Sequence, residues 1–247
     1  MTGQTKKIDI AQLFSAGTHF GFTKRRRHPS VVPYLFGTKE GNDIIDLAQT
    51  SEQLAAAAAV VAKMAAADKQ ILYVGTKDEV AKLVHTAALR ANAPYVSNRW
   101  IGGLLTNFAE VKKRLHRLHE LQQDKASGEW ERKYTKKERV MLGRELTKLE
   151  FNFGGIQQLT KAPDLLVVVD PRFESIALAE AEMLGIPVIA IAGTDCNIAP
   201  VTHPVVMNDA LQSSVSLALD YLVAAQTAAV QSTVAPSSAP ARTTATA

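Results

Sequence analysis

Lys24-Arg25-Arg26-Arg27-His28-Pro29 sets four cations at adjacent positions and closes them with a histidine and a proline. Side-by-side like charges repel one another, and such a run rarely serves a core; it calls for anions around it. A loop that lays these side chains against phosphates releases condensed counterions and gains an affinity that falls steeply with salt. The run therefore points to RNA contact, with a solvated loop as the plain alternative. His19, Phe20, Phe22, Tyr34 and Phe36 flank it. Their rings suit stacking on unpaired bases or packing of the loop onto its own domain, and packing is the expected use.

Other residues offer less. Arg99-Trp100-Ile101-Gly102-Gly103 follows a short apolar run. Its paired glycines permit a tight turn or a close backbone approach, in the kind of loop where open α/β sheets bind ligands. Yet Gly102-Gly103 is no GxGxxG fingerprint, and Gly75-Thr76-Lys77 lacks the earlier glycine of a P-loop. Asp170 and Asp195 follow apolar runs, where carboxylates serve as bases or metal ligands, but turn and capping roles are more common there. His116 and His119 stand three apart without a third ligand, and Cys196 and His203 have no residue to orient them as a nucleophile and base. No catalytic residue, no metal and no other cofactor is expected, and the chain reads as a non-enzyme.

The elements that must position these residues alternate. Asp43 to Leu47, Ile71 to Val74, Tyr95 to Ser97, Leu165 to Val169, Val188 to Ile191 and Val205 to Met207 are predicted strands. Continuous apolar runs such as Leu165 to Val169 suit strands buried on both faces. Thr50-x-x-Gln53 and Thr76-x-x-Glu79 are candidate capping boxes that would start the intervening helices. The alternation predicts an α/β fold, a parallel sheet with helices on both faces. From about Asn107 to Phe153 the strand signal vanishes. Val111, Leu115 and Leu118 form one apolar stripe, and Leu142, Leu146, Leu149 and Phe153 a second. Thr135-x-x-Glu138 caps the second, and Ser127-Gly128 marks a turn. Two such stripes predict an inserted antiparallel α-helical hairpin. Lys112, Lys113, Arg114, Arg117, Lys136, Lys137 and Arg144 fall on its outer faces. The expected organisation is a discontinuous sheet domain, 1–106 and 154–225, a hairpin at 107–153, and an Ala/Thr/Ser/Pro-rich tail at 226–247 that composition predicts to be disordered.

Composition narrows the class. No run reaches the roughly 20 apolar residues of a membrane helix, the first residues lead into no apolar signal core, and one cysteine excludes an internal disulfide framework, so a cytoplasmic location is expected. The net charge of +4 is unevenly spread. Residues 1–39 carry seven Lys/Arg against one acid, and 110–150 carry twelve against eight, whereas 151–223 carry two against eight. That asymmetry suggests one side facing a polyanion and another facing solvent or protein.

Several segments together resemble one family, the bacterial and organellar form of the second protein of the small ribosomal subunit. They are Gly17-Thr18-His19-Phe20-Gly21, Pro33-Tyr34-Leu35-Phe36-Gly37, Ile44-Ile45-Asp46-Leu47, Val74-Gly75-Thr76-Lys77 and Asn98-Arg99-Trp100-Ile101-Gly102-Gly103-Leu104-Leu105-Thr106-Asn107-Phe108. Gly154-Gly155-Ile156, Pro163-Asp164-Leu165 and Gly185-Ile186-Pro187-Val188 follow in order, so the match runs from about residue 8 to 223. The resemblance implies a flavodoxin-like sheet with an inserted hairpin, and a structural role without catalysis. It implies binding to small-subunit ribosomal RNA and to neighbouring ribosomal proteins, including the largest, which captures messenger RNA. Lys24, Arg25, Arg26, Arg27 and His28, Arg99 and Trp100, and Lys112, Lys113, Arg114, Arg117, Lys136 and Lys137 are the expected RNA contacts. A bacterial ribosome is expected over an organellar one. The chain departs from the family pattern at Phe22, at Arg27-His28, over Gly193 to Ile198, and at Val206-Met207; Arg27 adds to the basic run.

Overall fold

The computed structural model describes residues 7–234. Five parallel strands form the central sheet: β4 (Ile71–Val74), β5 (Tyr95–Val96), β6 (Leu165–Val169), β7 (Val188–Ala192) and β8 (His203–Val206). Their order is β5-β4-β6-β7-β8, the 2-1-3-4-5 order of a flavodoxin-like sheet. Successive side chains of a strand point to opposite faces, and here both faces are apolar. Ile71, Tyr73, Leu165, Val167, Val169, Ile189 and Ile191 bury one core with helices α2 (Leu47–Ala66), α3 (Asp78–Arg90) and α8 (Gln212–Val234). Leu72, Val74, Leu166, Val168, Val188 and Ala190 bury the other, with α7 (Ser175–Leu184) and the helical hairpin.

The hairpin comprises α4 (Phe108–Ala126), the short α5 (Glu129–Lys133) and α6 (Lys136–Phe153). Val111, Leu115, Leu118 and Leu121 meet Leu146, Leu149 and Phe153, and Trp130 is buried with them. Arg117 Nε donates to Glu145 at 3.2 Å and Gln122 Nε2 to Glu150 at 3.2 Å, tying the two long helices together. Thr135 and Glu138 form the predicted capping box reciprocally.

The N-terminal region departs from the predicted alternation. After α1 (Ile10–Ser15), β1 (Phe20–Thr23), β2 (Leu35–Lys39) and β3 (Asn42–Ile45) build a separate antiparallel sheet in the order β1-β3-β2. The strand predicted at Asp43 to Leu47 therefore belongs to this small sheet and ends at Ile45, because Asp46 turns the chain as the N-cap of α2 and accepts from Ala48 N at 2.9 Å. Thr50 is thus inside α2, not its cap; its hydroxyl reaches the Val206 carbonyl at 2.8 Å. Thr76 does not cap α3 either, since Lys77 holds that position and Thr76 bonds elsewhere. Finally, α8 continues through residues 226–234, where composition predicts disorder. Gln226 is buried there, accepting from Tyr73 Oη at 2.7 Å, which holds the helix onto the sheet. Residues 212–232 of α8 are long and apolar enough to cross a membrane by length and composition alone; in the fold, Val215, Ala218, Leu219 and Leu222 face the core. The remainder of the predicted tail, 235–247, lies outside the described residues.

Candidate nucleic-acid interface

Lys24–Arg26 form one turn of 3₁₀ helix directly after β1. The turn starts where Lys24 N donates to Gly41 O at 2.9 Å, the hairpin end of β2 and β3. Lys24, Arg25 and Arg26 are exposed, and among the described residues none of the three is paired with a carboxylate. Arg26 lies over the Phe22 ring at 5.3 Å, which orients it without neutralising it. Arg27 behaves differently. Its Nε donates to Asp43 Oδ2 at 2.7 Å, while Nη2 reaches Asp43 Oδ1 and the Thr38 hydroxyl. The hydrogen bond to Asp43 raises the Arg27 pKa further. The Asp43 carboxylate is fully buried, so Arg27 is the counter-ion that makes its burial tolerable. His28 is also engaged: its Nδ1 accepts from Ser30 N and caps the following 3₁₀ segment, Pro29–Tyr34.

The turn is anchored from far along the chain. Phe22 N donates to Thr194 Oγ1 and His28 N to Thr194 O, both at 2.9 Å. Gly21 permits this approach, because a Cβ there would stand 2.6 Å from Thr194 Cγ2. Val31 and Ile45 then pack with Ala192, Cys196, Ile198 and Val206 in a third small core. The flanking rings do not all pack as expected. Phe36 is 81% exposed and Phe20 53%, although the Phe20 ring lies 4.0 Å from His19; Tyr34 is half-buried. His19 stacks on Phe14 at 4.5 Å, and its burial lowers its pKa.

The Arg99 to Gly103 loop carries its own anion. Trp100 is buried, and its Nε1 donates to Glu180 Oε1 at 3.0 Å. Gly103 N, with Gly103 at φ +84°, donates to the same oxygen at 2.8 Å. Leu105 N and Thr106 N reach Glu180 Oε2 at 2.9 and 3.2 Å. Burial alone would raise the Glu180 pKa, but the indole and amide donors outweigh it and hold the group below its ordinary value. Trp100 is thus a wall of the core, and Arg99 alone of this pair is exposed. The other glycine turn is filled in the same way: Thr76 N and Oγ1 both donate to Glu174 Oε1 at 2.6 Å. These are the groups that would cradle a phosphate beside β4 and β6, where such a sheet reverses its strand order. Each turn's donors are satisfied by a glutamate of the chain.

On the hairpin, Lys112, Lys113 and Arg114 are exposed in the early turns of α4, and Lys136 and Lys137 in the first turn of α6. Lys113 pairs with Glu110, and Arg117 pairs with Glu120 and Glu145. The hairpin packs into one large core, while the Lys24–Arg26 turn stands beside the small sheet that carries the third core. Sequence reasoning missed Asp43, Glu174, Glu180 and Thr194; their partners lie far away in sequence, except Asp43, where an acid inside an apolar strand was the available signal.

One further cluster stands at the ends of β6, β7 and β8. Asp170, at φ +61°, accepts from Lys77 Nζ at 3.1 Å and lies near Cys196 and Asp209. Burial, with the neighbouring Asp170 charge, pushes Asp209 up to about 7 against the pull of Lys77.

The chain matches the ribosomal protein S2 family over residues 13–229. It is 43% identical over 209 residues to the small ribosomal subunit protein uS2 of Bartonella tribocorum, covering 85% of this chain and 78% of that one. The uS2 of Corynebacterium jeikeium is 44% identical over 202 residues, covering 82% and 73%. The protein uS2c of Rhodomonas salina is 40% identical over 212 residues, covering 86% and 87%.

Proposed function

The chain belongs to the ribosomal protein S2 family, and on that premise we propose that it is a structural, non-enzymatic constituent of the small ribosomal subunit that binds ribosomal RNA and supports translation. Lys24, Arg25 and Arg26 meet phosphates, mainly through charge and backbone shape, with little reading of bases. Arg27 and His28 hold the turn in place, Trp100 shapes the loop from within, and Arg99 reaches outward. Lys112, Lys113, Arg114, Arg117, Lys136 and Lys137 give the hairpin a second RNA contact. Neighbouring subunit proteins, including the largest, messenger-capturing one, pack against other faces, and the ribosome concerned is that of a bacterial cytoplasm.

One observation carries this reading: among the described residues, three adjacent exposed cations stand without a carboxylate on a turn whose fourth cation is locked inside. A turn whose backbone is held this firmly has less ordering entropy left to lose on binding.

The test is a sucrose gradient of lysate at two salt concentrations, comparing wild type with Lys24→Gln/Arg25→Gln/Arg26→Gln. Wild type sediments with the small subunit, and the triple variant shifts toward the free fraction as salt rises. With purified ribosomal RNA, three lost phosphate contacts at about 0.7 to 0.9 each reduce the log–log salt slope by roughly 2 to 3. Between 50 and 200 mM salt, that makes the wild type's loss of affinity about 20- to 40-fold greater than the variant's. Wild-type protein free of the subunit at both salts would overturn the ribosomal reading. An unchanged slope would remove the turn from the RNA contacts.

A further inference from the structure

The outer side of α6 carries a row that the fold leaves uncovered. Val140, Gly143, Thr147 and Phe151 follow one another at spacings of three, four and four. They therefore share one side of the helix over about three turns, roughly 16 Å. Val140 is 52% and Phe151 57% exposed, while Leu146, Leu149 and Phe153 on the opposite side fill the hairpin core. Scattered apolar residues on a surface need no explanation, but these are framed by charge. Arg144 and Lys148 of α6 and Lys125 at the end of α4 are exposed and line one groove with the row. The hairpin's lysine and arginine ion pairs engage Lys113, Arg117 and Lys133. Among the described residues, Lys125, Arg144 and Lys148 are paired with no carboxylate, and no acidic side chain lines the groove.

Gly143 supplies a second observation. Glycine inside a helix costs stability relative to alanine. A Cβ at Gly143 would meet nothing nearer than Trp130 Cζ3 at 4.0 Å, an ordinary contact, so the hairpin's own packing does not demand glycine. Its bare backbone lies in the groove between Val140 and Thr147, where it lets another helix approach closely. The row suits protein better than RNA. Unpaired bases stack on rings, and Phe151 is the one ring among the described residues lining the groove. Val140 and Thr147 offer no such face. Apolar positions repeating every three or four residues are instead the anchors with which helix meets helix.

We propose that this groove docks one helix of a neighbouring small-subunit protein, apolar along one stripe and bearing Asp or Glu along its edges. The proposal rests on the ribosomal reading and adds to it, because Lys125, Arg144 and Lys148 stand outside the hairpin cations assigned to RNA. Val140 and Phe151 anchor the apolar stripe, Gly143 admits its nearest turn, and the three cations meet its carboxylates. Charges at such a rim govern encounter and orientation, whereas buried aromatic anchors govern how long the partner stays. Different cations of one hairpin then serve two partners, phosphate through Lys112, Lys113 and Arg114 and carboxylate through the outer side of α6.

The full chain with Phe151→p-benzoylphenylalanine is photolysed within purified small subunits, and whatever it captures is resolved as RNA or protein and sequenced. We expect one protein segment whose apolar residues recur every three or four positions, with acids beside them. A synthetic peptide of that segment should bind the purified full chain. Phe151→Ala should weaken that binding by about 30-fold, as loss of an interface anchor does. Lys125→Gln/Arg144→Gln/Lys148→Gln should slow association and flatten its dependence on salt. All four side chains are exposed, so the variants should melt with wild type. A cross-link to RNA, no cross-link, a captured segment without acids, or a peptide that both variants bind as wild type does would each overturn the proposal. Absence of the chain from the subunits defeats the ribosomal reading and this proposal together, whereas RNA on the cross-linker in subunits that hold the chain defeats the groove alone.

Discussion

Replacing Glu180 by glutamine exchanges one oxygen for an NH₂ group and should loosen the whole Arg99 to Thr106 loop. The carboxylate accepts from Trp100 Nε1 and Gly103 N on one oxygen, and from Leu105 N and Thr106 N on the other. Glutamine keeps one acceptor and turns an NH₂ group toward two donors. The two surviving bonds fall from charge-assisted to neutral strength, about 1 kcal/mol each. The buried Leu105 amide loses its partner, at about 1 to 3 kcal/mol. Together these give a destabilisation of about 3 to 5 kcal/mol, a large share of the 5 to 15 kcal/mol typical of a folded domain. With a urea m value near 3 kcal/mol/M, the unfolding midpoint drops by about 1 to 2 M. Acid sensitivity gives a second reading. Burial alone would raise the folded-state pKa of Glu180, but the Trp100 indole and the loop amides hold it below the ordinary glutamate value. Its contribution is therefore complete above that value, and is lost as pH falls through the depressed folded-state value. In Glu180→Gln the decline of stability below about pH 4.5 should be shallower. An unchanged urea midpoint, with the same acid profile as wild type, would refute the assignment of the loop to this carboxylate.

Two other perturbations test the frame. Arg27→Met removes the counter-ion of buried Asp43 and should cost about 3 to 5 kcal/mol in urea unfolding, whereas Arg25→Gln should stay within about 0.5 kcal/mol; equal effects would show that Arg27 is an ordinary surface cation. Tyr73→Phe leaves the buried Gln226 oxygen without its 2.7 Å donor and should destabilise by about 1 to 3 kcal/mol, with faster amide hydrogen exchange in the last turns of α8; unchanged exchange there would mean that α8 is held by its apolar face alone.

The central sheet was legible because its signals are local. Leu165 to Val169 and Ile71 to Val74 are uninterrupted apolar runs, and both are strands with those bounds. The hairpin was legible from its two stripes and from the capping box at Thr135 and Glu138, whose partners lie three residues apart. What failed depended on distant partners. Thr76 looked like a helix cap but is bonded to Glu174, 98 positions away. Trp100 looked like a contact surface but is bonded to Glu180, 80 positions away. Four adjacent cations look equivalent in sequence, and only the meeting with Asp43 across the small sheet separates Arg27 from its neighbours. The continuation of α8 was hidden for the same reason, since its low-complexity residues are ordered by packing that begins at Tyr73.

Thr194 sets an order of events in the making of this protein. The bonds from Phe22 and His28 to Thr194 span more than 160 positions, so the cationic turn leaves the synthesising ribosome long before its anchor exists. At about 5 to 20 residues per second, the wait lasts roughly 10 to 30 s. Through that interval the four cations are on a chain whose small sheet lacks Ala192, Cys196, Ile198 and Val206, the later half of its core. The turn is therefore made early and shaped late, and a nascent chain interrupted before Thr194 carries the charge of the finished turn without its anchor.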